Sequence, residues 1–165
     1  MLIGILSDTH DCLPMVKSAV EQLNENTIDL VLHAGDYVAP FVIPVLAGLD
    51  APLIGVFGNN DGDHALLLAR CAEYDNLQIR GTFAGVTAGG LSIGLLHGQE
   101  QDLLRALMER GTFDVLVHGH SHKAEITRRG AMLVINPGEV CGYLTGRPTV
   151  AVLDTDDREA TLVQL

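Results

Sequence analysis

Short apolar blocks, each cut off by a polar or glycine-rich break, run the length of this chain. Residues 2–6 (Leu-Ile-Gly-Ile-Leu) form the first, and its abrupt end at Ser7-Asp8 predicts a buried strand. Over 14–26 the apolar period lengthens. Val16, Val20 and Leu23 then share one helical face, and Pro14 suits the first turn. Further strands are predicted over 29–32, 52–57, 77–79, 82–86, 91–96 and 115–117. Further helices are predicted over 40–49, 63–74 and 101–109, the last with Leu103, Leu104 and Leu107 along one side. From residue 124 onward, short alternating runs broken at Arg129-Gly130, Asn136-Pro137-Gly138 and Asp156-Asp157 predict antiparallel strands. A front that alternates strand and helix, followed by strand after strand, predicts a mixed α/β domain with sheet packed on sheet and helices outside. No linker or repeat divides it, so residues 1–165 are expected to form a single domain.

Composition narrows the partners. Apolar residues make up 47% of the chain but aromatic ones only 4%, so the core must be built from Leu, Val, Ile and Ala. With 21 acidic against 10 basic side chains the net charge is −11. Nucleic-acid affinity comes largely from Lys and Arg on phosphates, and no basic cluster is present, so no stable nucleic-acid binding is expected. An anionic substrate is still acceptable if bound cations reverse the sign locally. Cys12, Cys71 and Cys141 are odd in number and widely spaced, which suits a reducing, cytoplasmic setting. The apolar start meets Asp8 after seven residues, so it reads as a strand and not a signal peptide. No apolar run approaches membrane-spanning length.

The candidate chemistry sits where the blocks stop. Five apolar runs end in Asp8-Thr-His10, Gly35-Asp36, Gly58-Asn59, His97-Gly98 and His118-Gly-His-Ser-His122. Ligands of parallel-type sheets gather beyond the carboxyl ends of the strands, and residues serving only as turn formers have no need of so many His. Imidazoles, carboxylates and an amide oxygen together suit borderline or hard divalent ions. The cysteines lie outside these blocks, which argues against a thiolate zinc finger. Strand periodicity of two would point both side chains of Asp8-x-His10, and both of His120-x-His122, the same way from an extended segment.

In that order the blocks resemble the calcineurin-like metallophosphoesterases. Asn136-Pro137-Gly138, the short length and the spelling Leu-His-Ala-Gly-Asp36 are similar to the small bacterial and archaeal phosphodiesterase branch. The resemblance implies a four-layer α/β/β/α sandwich with two mixed β-sheets. It also implies two divalent metal ions, one held by Asp8, His10, Asp36 and His122, the other by Asp36, Asn59, His97 and His120. Asp36, Asn59 and His97 would serve catalysis through attack of a metal-bridging hydroxide on a small-molecule phosphate ester, most simply a phosphodiester. Manganese is the ion expected first, with nickel, cobalt, iron, zinc or magnesium as alternatives.

One position departs from the family pattern. Asn60 stands where many members carry a His that protonates the leaving group, and asparagine is no general acid near neutral pH. His64 is the nearest alternative donor. His33 and His118 are expected to be packed or supporting residues, and Cys71 and Cys141 buried or loop thiols. Three other functions compete: a phosphomonoesterase, a nuclease of the same family, and a non-catalytic protein-binding scaffold with the same sandwich. Homo-oligomerisation is left open.

Overall fold

The computed structural model describes residues 1–165. Strands β1 (Leu2–Leu6), β2 (Leu30–His33), β3 (Leu53–Gly55) and β4 (Leu77–Ile79) run parallel to one another. Strands β10 (Thr149–Asp154) and β11 (Glu159–Gln164) extend this sheet antiparallel on the far side of β1, giving the order β11-β10-β1-β2-β3-β4. A second sheet contains β5 (Phe83–Ala88), β6 (Leu91–Leu96), β7 (Val115–Val117), β8 (Glu125–Arg129) and β9 (Met132–Asn136) in the order β5-β6-β7-β9-β8. Its three central strands are parallel and both edges antiparallel, so both sheets are mixed.

Helices α1 (Leu13–Glu25), α2 (Ile43–Leu46) and α3 (His64–Cys71) cover the first sheet, and α4 (Gln101–Arg110) covers the second. The period-two pattern of the strands decides which layer each residue joins. In β1 and β2, Ile3, Ile5, Leu30 and Leu32 face the second sheet, whereas Leu6 and Val31 face the helices. In β7 and β9, Val115, Val117, Leu133 and Ile135 meet the first sheet, while Leu116, Met132 and Val134 pack under Leu104 of α4. Three apolar clusters thus fill the three gaps between four layers, giving the expected α/β/β/α sandwich.

The expected elements are present, several with their ends shifted by one to three residues. The helix predicted over 40–49 splits into a 3₁₀ turn at Pro40–Val42 and the single turn α2, because Pro44 cannot donate a backbone bond to continue the upstream turn. The helix predicted over 63–74 begins one residue later. Asp63 caps it, its carboxylate accepting the Leu66 amide at 2.9 Å.

The sheet-to-sheet layer is one of the buried cores of the sandwich. Leu95 is fully buried there, and Leu95→Ala is expected to cost about 2–5 kcal/mol in urea denaturation. Leu68→Ala, at a position 44% exposed on α3, should stay within about 0.5 kcal/mol of wild type. Similar losses at both positions would contradict this layering.

Candidate metal centre

The parallel strands of both sheets deliver their carboxyl ends to one edge of the sandwich. Asp8 and His10 follow β1, Asp36 follows β2 and Asn59 follows β3, all from the first sheet. His97 follows β6, and His120 and His122 follow β7, from the second. The seam is stitched by the backbone: the Val140 and Cys141 amides donate to the carbonyls of Ser7 and Asp8 at 3.0 and 3.1 Å. The His120 amide donates to Asp8 Oδ2 at 3.2 Å.

The extended geometry expected for Asp8-x-His10 and His120-x-His122 is not what forms. Strands β1 and β7 stop at Leu6 and Val117, and all four residues take positive φ, 54° and 41° in the first pair, 66° and 59° in the second. Asp36 does the same at 62°. Asp and His are among the side chains most tolerant of left-handed backbone, and tight left-handed turns, not pleating, aim these groups. Gly119, directly before His120, leaves no room for a Cβ, which would run into Ser7 Oγ and lie 2.6 Å from Asp8 Oδ2.

The side chains converge. His122 Nε2 lies 3.2 Å from Asp8 Oδ1, His97 Nε2 lies 3.2 Å from Asp36 Oδ2, and His10 Nε2 lies 3.7 and 3.5 Å from the same two carboxylates. The other ring nitrogens fix the tautomers. His97 Nδ1 is 2.8 Å from the Ala34 carbonyl and His122 Nδ1 is 2.6 Å from Glu139 Oε2, both pure acceptors, so Nδ1 carries the proton in each neutral ring. Each Nε2 therefore turns a lone pair towards a carboxylate oxygen. Asp8 Oδ1, His10 Nε2 and His97 Nε2 are buried and have no hydrogen-bond partner. Lone pairs opposed in this way require a proton or a cation between them, and the donor set is one that divalent ions accept.

The proton balance agrees. Burial pushes the Asp36 carboxyl up, but His97 and the two donors of Asn60 outweigh it and hold it well below the usual carboxylate range. Burial opposes charge on His97, yet neighbouring Asp36 more than offsets this and raises its pKa. His120 stacks edge-on against His97 at 5.1 Å between centroids, and burial lowers its pKa.

Asn59 and Asn60 divide differently from each other. Asn60 donates its backbone and side-chain N–H groups to Asp36 at 2.9 and 2.7 Å, so its amide orients a carboxylate. Asn59 stands exposed in the same turn, between Gly58 and Asn60. His64 lies flat on Phe57, with 3.8 Å between centroids and 3° between planes.

Several supporting residues gave no motif signal. Buried Asp61 accepts the amides of Asp36, Val38 and Gly58, which fixes the turn bearing Asp36 against the turn bearing Asn59. Glu139 accepts from His122, from Cys141 Sγ at 3.2 Å, from the amides of Leu144 and Thr145, and from the Thr145 hydroxyl. Burial works against its charge, but these donors hold its pKa at about 2. Cys141, pushed up to about 12 by burial, stays a thiol and serves this carboxylate. The position of Glu139 directly after Asn136-Pro137-Gly138 was the available clue.

His33 and His118 stay outside the cluster, as expected. His118 contacts the Gly119 carbonyl at 3.2 Å. His33 accepts the Gly35 amide at Nδ1, meets the Thr9 hydroxyl through Nε2 at 3.2 Å, and stacks on Tyr37. Thr9 in turn donates to the Asp36 carbonyl.

A match to the calcineurin-like phosphoesterase superfamily domain covers residues 1–158. The chain belongs to the calcineurin-like phosphoesterase superfamily, whose chemistry is hydrolysis of phosphoric esters and whose members depend on metal ions. Within it, the chain is 40% identical to a phosphodiesterase of Methanocaldococcus jannaschii over 159 residues, 96% of each chain. A structure described as a novel archaeal phosphodiesterase superposes with a TM-score of 0.95 at 39% identity, covering all of both chains. Vps29 of Entamoeba histolytica, solved with zinc, shares the fold at a TM-score of 0.74 and 24% identity, covering 99% of this chain and 91% of that one.

Burial pushes His33 down to about 3 from 6.5. Between those pH values the unfolded chain takes up a proton that the folded one refuses, so this contribution to stability is complete above pH 6.5 and declines as pH falls. In urea denaturation, His33→Gln should be less stable than wild type at pH 7, and the gap should narrow at pH 4. A gap independent of pH would refute the assignment.

Proposed function

We propose that the chain hydrolyses small-molecule phosphodiesters at a centre of two divalent cations. One cation would be held by Asp8, His10, Asp36 and His122, the other by Asp36, Asn59, His97 and His120, with Asp36 shared. The observation that carries this is the pairing of ring-nitrogen lone pairs with carboxylate oxygens at 3.2 Å, at His97 with Asp36 and at His122 with Asp8. Cations bound there supply charge neutralisation at the phosphoryl oxygens and activation of the attacking water. The chain's own groups do the rest. Asn60 and Asp61 hold the Asp36 turn, Glu139 keeps the His122 ring oriented with its proton on Nδ1, and the buried walls of Asp8, Asp36 and His97 exclude bulk water.

The diester assignment draws on the archaeal relatives, both described as phosphodiesterases. Asn60 is committed to Asp36 and is no general acid, which favours activated esters or another proton donor. Manganese is the ion proposed, with nickel, cobalt, iron, zinc and magnesium as candidates to compare. The acidic surface argues for a small substrate over a nucleic acid. Three free thiols suit the cytoplasm, and no helix is long and apolar enough to cross a membrane.

Manganese-loaded protein should cleave bis(4-nitrophenyl) phosphate, lose the activity on chelation and regain it when manganese returns. Asp36→Asn should remove it altogether. Absence of hydrolysis with every one of the six ions would sink the proposal.

Glu139→Gln keeps the side-chain shape but gives up the charge that His122 leans on. Titration calorimetry should show divalent-ion affinity reduced by about 10- to 100-fold. Unchanged affinity would mean that His122 needs no such support.

A further inference from the structure

A cavity of about 420 Å³ opens beside His122, at the edge of the sandwich where β8 and β11 are the outermost strands of the two sheets. Besides His122, its walls include Ala124, Thr145, Arg147, Leu162 and Gln164. A volume of this size suits a small organic group. No carboxylate lines it, and Arg147 belongs to none of the arginine ion pairs, which engage Arg70, Arg105, Arg128 and Arg158. Arg147 is exposed, and on a chain with a net charge of −11 it places a positive charge in a carboxylate-free lining beside His122 of the candidate metal centre.

The backbone at Arg147 is also tied to that centre. The Thr145 hydroxyl donates to Glu139 Oε1 at 2.7 Å and accepts the Arg147 amide at 3.1 Å, while Glu139 Oε2 holds His122 at 2.6 Å. One carboxylate therefore sets both the imidazole at the mouth of the cavity and the backbone that carries the guanidinium.

We propose that this cavity is a subsite for the substituent beyond the scissile phosphate, and that Arg147 makes it selective for a substituent ending in an oxyanion. The inference rests on the phosphodiesterase assignment above. Leu162 and Ala124 offer apolar contact to the connecting atoms, the Gln164 amide adds a neutral donor, and the Arg147 fork is suited to paired oxygens of a phosphate or a carboxylate. A symmetric aromatic diester leaves Arg147 unused.

The test compares manganese-loaded wild type and Arg147→Gln on bis(4-nitrophenyl) phosphate and on three 4-nitrophenyl alkyl phosphates, whose alkyl group ends in a phosphate, a carboxylate or an uncharged amide. Wild type should prefer an anionic substrate over the amide, and Arg147→Gln should lose about 10- to 100-fold in kcat/KM on it, chiefly through KM. Activity on bis(4-nitrophenyl) phosphate and on the amide should stay within about twofold. Comparison of the phosphate and carboxylate arms tells which oxyanion the site takes. Equal losses on all four substrates, or no loss on any, overturn the subsite while leaving the phosphodiesterase assignment standing. If no diester is cleaved, that assignment fails instead. Calorimetric binding of the phosphate-ended compound to both proteins then decides the subsite, with affinity that falls in Arg147→Gln supporting it and equal affinity overturning it.

Discussion

Two of the three fully buried carboxylates, Asp8 and Asp36, govern this molecule. Taking a charge of that kind out of water costs several kcal/mol unless it is paired and hydrogen-bonded. The surroundings answer that cost in part: Asn60 donates twice to Asp36, and the His120 amide donates to Asp8. The residual demand falls on three imidazoles whose Nε2 atoms point inward. Those rings cannot meet it as neutral donors, because two of them spend their protons on Ala34 and Glu139. With those rings neutral, Asp8 Oδ1, His10 Nε2 and His97 Nε2 lack a hydrogen-bond partner, a setting that favours a proton or a bound cation among them.

The backbone bears the corresponding strain. Five of the seven proposed ligands adopt positive φ, at a cost on the order of 1–3 kcal/mol for each non-glycine residue. Buried hydrogen bonds fix these turns. The amides of Thr9 and His10 both reach the Asp36 carbonyl, and Asp61 gathers the neighbouring amides of Asp36, Val38 and Gly58. The left-handed turns let the chain leave a strand and double back within two or three residues, so that short motifs present side chains from both their first and third positions.

That geometry explains what the sequence could and could not disclose. The strand ends were legible because apolar blocks stop sharply at Leu6, Leu32 and Leu96, and the identities of the candidate ligands were legible because His, Asp and Asn cluster just beyond. Layer assignment followed from alternation, as with Ile3 and Ile5 against Leu6. The route by which Asp8 and His10 converge was hidden, since left-handed φ at Asp and His leaves no mark in composition. Glu139 and Asp61 were hidden for another reason: each acts by accepting protons from atoms distant in sequence or from backbone amides, and a lone acidic residue in a loop does not advertise its partners. The break in the helix at Pro40–Val42 and Ile43–Leu46 had its cause in plain view, in Pro44, but the apolar spacing around it was strong enough to mask the interruption.

The candidate ligands are shared between the two halves of the sandwich, Asp8, His10, Asp36 and Asn59 from one sheet and His97, His120 and His122 from the other. A cation bound there would act as a clasp. It would add nothing to either sheet alone and would resist their separation, so its binding free energy would enter the global unfolding of the protein, by about 2.7 kcal/mol at a hundredfold excess over the dissociation constant. Availability of the ion in the cell would then control how long the fold lasts as well as how fast the enzyme turns over.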